Sequence, residues 1–213
     1  MDKIAKANGG RRKEKAIGID LGLRNLIVMS NGVSIGHHPS LPRLKYNLRV
    51  FGHKLEGQET GSKRWYETLR IINKTKAELE RCQQDYANKL AHMLCKHYKT
   101  ICIEAPISGG TIKQEVENDI YIANWDMVRA TIKKKCRETG TAYVEVAPFY
   151  TTQTCSKCGE RQKLALGDRT YNCPKCGLSL DRDVNAAINL KRKGLEKLNR
   201  QRKAQAKLGI PPF

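Results

Sequence analysis

The stretch Ala16-Ile17-Gly18-Ile19-Asp20-Leu21-Gly22-Leu23-Arg24-Asn25-Leu26-Ile27-Val28 decides how the rest of the chain is read. Ile17 and Ile19 alternate with small or polar neighbours, and an acid stands where the strand should end. Gly22 permits a tight turn, and an apolar run resumes between Asn25 and Met29. The pattern predicts a β-hairpin that presents a carboxylate at the mouth of a sheet. Apolar residues alone would make an ordinary core hairpin. A carboxylate flanked by core residues is costly unless it is paired or binds a metal, which makes Asp20 a candidate functional residue.

Working outward, residues 16–37 predict two or three antiparallel strands, with Asn31-Gly32 as a turn signal. Residues 38–61 mix Pro, Gly and basic residues without a clear period and read as a loop or an extended crossing segment. From Ser62 to Tyr98 the spacing of Trp65, Leu69, Ile72, Leu79, Tyr86, Leu90, Met93 and Leu94 predicts a helix, long enough to invite a break near Asn73 to Thr75. Thr100 to Glu104 reads as a short strand that also ends in an acid, just before Pro106. A loop over 107–117, a helix over 118–139 stopped by Gly140, and a strand over Tyr143 to Val146 follow. Alternating strands and helices give an α/β layout.

The chain has 213 residues, enough for one cored domain with a small appended module. Its 40 Lys and Arg against 21 Asp and Glu leave a formal charge of +19, which calls for a polyanionic partner, with nucleic acid first. No apolar stretch is long enough to span a membrane, and the basic start, Met1 to Lys15, has no apolar signal core and reads as a flexible arm.

Cys155-Ser156-Lys157-Cys158-Gly159 and Cys173-Pro174-Lys175-Cys176-Gly177 each set two thiols one tight turn apart. Four such ligands suit one structural Zn²⁺ in a Cys₄ zinc ribbon with no open coordination position. Two disulfides are the competing reading, disfavoured by an intracellular-type composition. Cys82, Cys95, Cys102 and Cys136 read as core residues, and the five His show no metal-binding spacing. Trp65 and Trp125, at helical spacing, read as core more readily than as base-stacking residues.

Beyond the ribbon runs Leu180-Asp181-Arg182-Asp183-Val184-Asn185-Ala186-Ala187-Ile188-Asn189-Leu190. Asp183 suits a helix N-cap. The Ala-Ala pair would equally let that helix lie close on a sheet and carry Asp183 towards Asp20 and Glu104. Three carboxylates at element ends suit hard, oxygen-ligated cations such as Mg²⁺, and a pair of ions ~3.5–4 Å apart can promote phosphodiester cleavage. Lys191, Arg192, Lys193, Lys197, Arg200, Arg202 and Lys203 form a basic run that either tracks phosphates or is a solvated tail.

Together, Ile17 to Gly22, Ile103-Glu104, Thr151 to Gly159, Cys173 to Gly177 and Asp181 to Asn189 resemble the RuvC-like nuclease half of TnpB proteins. Those are transposon-associated, RNA-guided DNA endonucleases related to type V CRISPR effectors. The resemblance covers roughly residues 15 to 192. It implies an RNase H-like mixed sheet flanked by helices, interrupted by the zinc ribbon. It also implies a catalytic, metal-binding trio of Asp20, Glu104 and Asp183, with Asp181 as the alternative third ligand.

The implied cofactors are two Mg²⁺ (or Mn²⁺) and one structural Zn²⁺. The implied partners are DNA and, as a further candidate, guide RNA, in the cytoplasm of a prokaryotic, phage or mobile-element context. The implied layout is a basic arm at 1–14, a nuclease core at 15–150, the ribbon at 151–180, a last core helix at 181–193 and a basic tail at 194–213. Roughly 15 residues precede the first motif, where the family has a guide-binding half, so a minimal form is expected. A stand-alone nuclease selective for branched DNA and a non-catalytic nucleic-acid-binding accessory or repressor are the alternatives.

Overall fold

A computed structural model describes residues 15–106, 124–165 and 167–208. The expected arm at 1–14, the loop at 107–117, the first residues of the expected helix, 118–123, and the end of the tail, 209–213, lie outside the described residues.

The chain opens on the expected strands, β1 (Ile17–Leu21), β2 (Ile27–Met29) and β3 (Ser34–Ile35). Helices α1 (Leu41–Glu56) and α2 (Lys63–His97) follow, then β4 (Thr100–Glu104), α3 (Trp125–Thr139) and β5 (Ala142–Val146). A hairpin of β6 (Thr170–Asn172) and β7 (Ser179–Asp181) leads into α4 (Arg182–Lys207). The five-stranded sheet has the order β3-β2-β1-β4-β5. β1 pairs antiparallel with β2 and parallel with β4, and β4 pairs parallel with β5, so the sheet is mixed.

Every residue of β1 is buried, because the sheet is covered on both faces. Period-two alternation sorts the side chains. Ile17, Ile19, Leu21, Ile101 and Ile103 join Leu90, Leu94 and Ile132 of α2 and α3 in the larger core. Cys102, Val144 and Val146 meet Leu190 of α4 on the other face. Gly18 and Asp20 in β1, and Cys102 and Glu104 in β4, therefore share the α4 side.

Two helical expectations are corrected. Residues 41–56, expected as loop or extended chain, form α1. Pro42 stands in its first turn, where a missing N–H costs nothing, and Leu41, Leu44 and Leu48 pack on Leu79 and Cys82 of α2. The expected break in α2 is absent. Its 35 residues run without interruption, and the Thr75 hydroxyl donates to the Ile71 carbonyl at 2.9 Å inside the helix. Ser62 caps α2 by accepting from the Trp65 N–H at 3.2 Å, and Asn124 caps α3 in the same way from Met127. Trp125 packs against the larger core, while Trp65 meets Tyr66 edge to face.

Candidate functional site

The pairing of Ile19 with Ile103 sets Asp20 beside Glu104 at the carboxyl ends of two parallel strands. Asp183 arrives from the first turn of α4. Burial drives the Asp20 carboxyl well above its ordinary range; the charge of Glu104, a hydrogen bond with it and the charge of Asp183 push it further, against a small opposing pull from Arg182. Glu104 is also raised by burial, partly offset by its bond to Asp20, the Leu21 N–H and the charge of Arg129. Of the three acids expected to act together, Asp20 thus feels the charge of both others.

What brings Asp183 there is the closeness of α4 to the sheet. A Cβ on Gly18 would strike the Ala187 carbonyl and the Lys191 amide of α4. A Cβ on Gly194 would strike the Cys102 side chain. Ala186 and Ala187 are fully buried in this contact. The helix cap falls to Asp181 rather than Asp183: its Oδ1 accepts from the N–H groups of Asp183 and Val184, both at 3.0 Å. The N-cap reading of Asp183 is therefore replaced, and its carboxylate instead accepts from Arg182 Nε at 3.2 Å.

Two cations beside the acids had no signal in the sequence. Arg182 lies between two acids in a motif that drew attention to the acids alone. Arg129 is buried in α3 with an ion pair to the exposed Asp126, and its neighbourhood with Glu104 is made only by the packing of α3.

Cys155, Cys158, Cys173 and Cys176 are free thiols whose sulfurs all lie within 4.8 Å of one another. Sγ–Sγ separations of 3.6 Å for Cys155–Cys176 and 3.5 Å for Cys158–Cys173 exclude the two-disulfide reading. They are close to the ~3.8 Å that four bonds of about 2.3 Å to one tetrahedral zinc require. Burial alone would raise the Cys155 thiol, but the N–H groups of Cys158 and Lys157 bring it down to about 7. The Cys158 thiol receives help from the Glu160 N–H, yet burial and the other three sulfurs push it up to about 12. The quartet is thus a closed soft-ligand site. Among the described residues the three carboxylates converge less tightly than the four thiols.

The segment that carries the first cysteine pair is tied to the acid-bearing helix by two fully buried asparagines that the sequence reading did not single out for this role. Asn185 donates to the Thr154 carbonyl at 2.8 Å and accepts from the Ser156 N–H at 2.9 Å. Asn189 donates to the carbonyls of Thr151 and Thr154 at 2.9 and 2.6 Å and accepts from Arg192 at 2.9 Å. Their spacing of four residues, on the helix face opposite polar solvent positions, is the signal that could have found them.

The basic run belongs to α4, which continues unbroken to Lys207. Its first part is packed: Lys193 donates to the Phe149 carbonyl and Lys197 to the Glu145 carbonyl, at 2.8 and 2.9 Å. Lys191 and Arg192 are half-buried, whereas Arg200, Arg202 and Lys203 are exposed. Among the described residues no helix is long and apolar enough to cross a membrane.

The family described as "Probable transposase" (OrfB_IS605) matches residues 7–112, and the Cas12f1-like TNB domain matches residues 125–190. A Streptomyces pristinaespiralis protein described as "Putative RNA-guided DNA endonuclease" is 28% identical over 183 residues, covering 84% of this chain and 45% of that protein. The Cas12f1 endodeoxyribonuclease of Sulfoacidibacillus thermotolerans is 30% identical over 98 residues, covering 42% of this chain and 23% of the relative. The chain spans about half the length of the first curated relatives it matches, 45% and 48%. In structure it is similar to a CRISPR-Cas12f ternary complex, with a TM-score of 0.63 and 19% identity over 86% of this chain and 40% of that one, a likeness of fold. One matched segment carries Asp20 and Glu104 and the other the cysteine quartet and Asp183, and over 66% of its length the chain is 28% identical to a TnpB-like protein of Acanthamoeba polyphaga mimivirus.

Proposed function

We propose that this chain carries the DNA-cleaving chemistry of the TnpB-like proteins, hydrolysing phosphodiester bonds with divalent metal ions held by Asp20, Glu104 and Asp183. The observation that carries the reading is the meeting of three acids from distant parts of the chain at the β1, β4 and α4 junction. In an ion-free fold burial and the two neighbouring acids raise the proton affinity of Asp20, a cost that bound cations would remove. Bound Mg²⁺ or Mn²⁺ would activate the attacking water and stabilise the leaving oxygen.

In this reading Asp20, the most buried of the three, is the central ligand. Glu104, at the strand edge, orients the attacking water. Arg182 fixes the Asp183 carboxylate, and Asp181 serves as the helix cap. The strand order supports an RNase H-like (RuvC-like) core over residues 15–150 and 181–193, with a zinc ribbon at 151–180 and a basic extension at 194–213. DNA is the substrate in view of the +19 charge and the names of the relatives. Guide RNA is a partner that those relatives' names bring into the proposal.

The test is cleavage of labelled single-stranded, duplex and four-way-junction DNA in Mg²⁺, with and without Asp20→Asn. Metal-dependent cleavage that disappears in the variant is expected. Cleavage that survives the substitution would overturn the assignment. Tight binding with no cleavage on any substrate would instead favour an accessory that binds without cutting.

A further inference from the structure

Two thiols outside the quartet meet inside the larger core. Cys95 stands in the last turn of α2 and Cys136 in the last turn of α3. Both are buried, and their sulfurs lie 3.6 Å apart. Cys155 and Cys176 of the quartet are separated by the same 3.6 Å. There four sulfurs converge, whereas among the described residues no third sulfur, imidazole or carboxylate forms such a group with Cys95 and Cys136. The pair therefore lacks the ligand set of a zinc centre. What two touching thiols can do without a metal is form a disulfide, which needs sulfurs about 2.05 Å apart. The remaining gap of roughly 1.5 Å is within reach of small χ1 rotations at two helix ends.

The pair can also be reached from solvent. Cys136 lines a cavity of 1040 Å³ between the end of α3, the start of β5 and the outer half of α4. Lys15, Lys99, Arg137 and Arg202 stand exposed around it. The last turn of a helix disfavours a thiolate, and these four cations oppose that bias. The cavity takes in Thr100 and Ala142, where β4 and β5 begin, so it lies at the opposite end of the sheet from Glu104.

We propose that Cys95 and Cys136 form an oxidation site, at which hydrogen peroxide entering the cavity makes a disulfide that staples α2 to α3. The Cys136 thiolate attacks one peroxide oxygen. An S–O bond forms, the O–O bond breaks, and the departing hydroxide takes up the proton that the thiol released and leaves as water. The Cys95 sulfur then attacks the Cys136 sulfur. The S–S bond forms, the S–O bond breaks, and the second oxygen leaves as water with the Cys95 proton. Two thiols lose two electrons, and one peroxide is reduced to two waters. The link spans 41 positions, encloses β4 with Glu104, and ties down the helix that carries Arg129. In a reducing compartment such a disulfide is transient, and the dithiol is the resting form. The site goes beyond the nuclease reading and does not depend on it.

The test treats the full chain, loaded with Zn²⁺, with hydrogen peroxide at the highest dose that leaves the zinc bound, followed with a chelating dye. Remaining thiols are then blocked under denaturing conditions, linked peptides are mapped by mass spectrometry without reductant, and thermal unfolding is measured on the same sample. A peptide pair joining Cys95 to Cys136 is expected, with a melting temperature raised by about 5–10 °C. Dithiothreitol should reverse both, and Cys95→Ala should show no peroxide-dependent rise. Should that variant not fold, the reversal in the parent protein decides. Free thiols at Cys95 and Cys136 at that dose overturn the site, as does a linked pair without a higher melting temperature. A rise that persists in Cys95→Ala, or that dithiothreitol does not reverse, overturns it equally.

Discussion

Asp20 is the most buried carboxyl of the proposed site. Its folded-state proton affinity, like that of Glu104, is raised above the unfolded value. For an acid this sign means that the fold gains nothing from ionising it. In the ion-free protein the contribution is most favourable below the unfolded carboxylate range, near 4, and is lost as pH rises through the raised values. Asp20→Asn should therefore raise the melting temperature of the metal-free protein by a few degrees at neutral pH. Thermal unfolding with and without Mg²⁺ checks this, and a lower melting point for the variant in the absence of Mg²⁺ would count against it. The wild-type melting temperature should climb with added Mg²⁺, more at pH 8 than at pH 5.5, because the ligands must be deprotonated to bind. Asp20 and Glu104 could be read from sequence because an acid at the end of an apolar strand breaks its own pattern. Arg129 could not, because its place beside Glu104 depends on the packing of a helix that begins only at Trp125.

At the scale of the element, α4 is a ruler that sets several distances at once. It carries Asp183, the paired asparagines, the glycine that fits against Cys102, and the basic run. The close approach at Gly18 involves helix backbone, which cannot swing aside as a side chain can. Gly18→Ala should cost about 2–3 kcal/mol, or a fall of roughly 5–10 °C in Tm, and should reduce cleavage further by lifting Asp183 from its neighbours. Asn189→Ala leaves the Thr151 carbonyl without its side-chain donor and should cost about 1–3 kcal/mol in chemical denaturation. The cysteine hairpin adds its own proton linkage. With one thiol near 7 and another near 12, closing the quartet on zinc must release protons, so zinc should be held against a chelator better at pH 8 than at pH 6. Equal retention at both would exclude thiolate ligation. The ribbon spacing was legible because both cysteine pairs are local; α1 was hidden because Pro42, Gly52 and many basic residues imitate a loop while only Leu41, Leu44 and Leu48 mark the packed face.

At the scale of the whole molecule, charge governs encounter with a polyanion. Arg200, Arg202 and Lys203 extend from the packed part of α4 into solvent, free of the contacts that occupy Lys193 and Lys197. Replacing those three by Gln should flatten the slope of log affinity for duplex DNA against log salt by about 2–3, while the melting temperature stays within a degree or two. A salt slope that does not change would mean these side chains do not lie on phosphates. The strands and most helices were readable from alternation and helical spacing, whereas the mixed sheet flanked by helices was what the resemblance implied. The layering was less so, because which helix covers which face is decided by side chains that meet only after folding.

The order of elements along the chain has one further consequence, and it concerns timing. Strands β1 and β4 and both cysteine pairs leave the ribosome before residue 182, and α4 follows them. Until α4 has been made, a growing chain holds two of the three acids and a first cysteine pair without its asparagine tether. Asp183 can reach Asp20 and Glu104 only once α4 has been made, so a polypeptide stalled before residue 183 would carry two of the three acids.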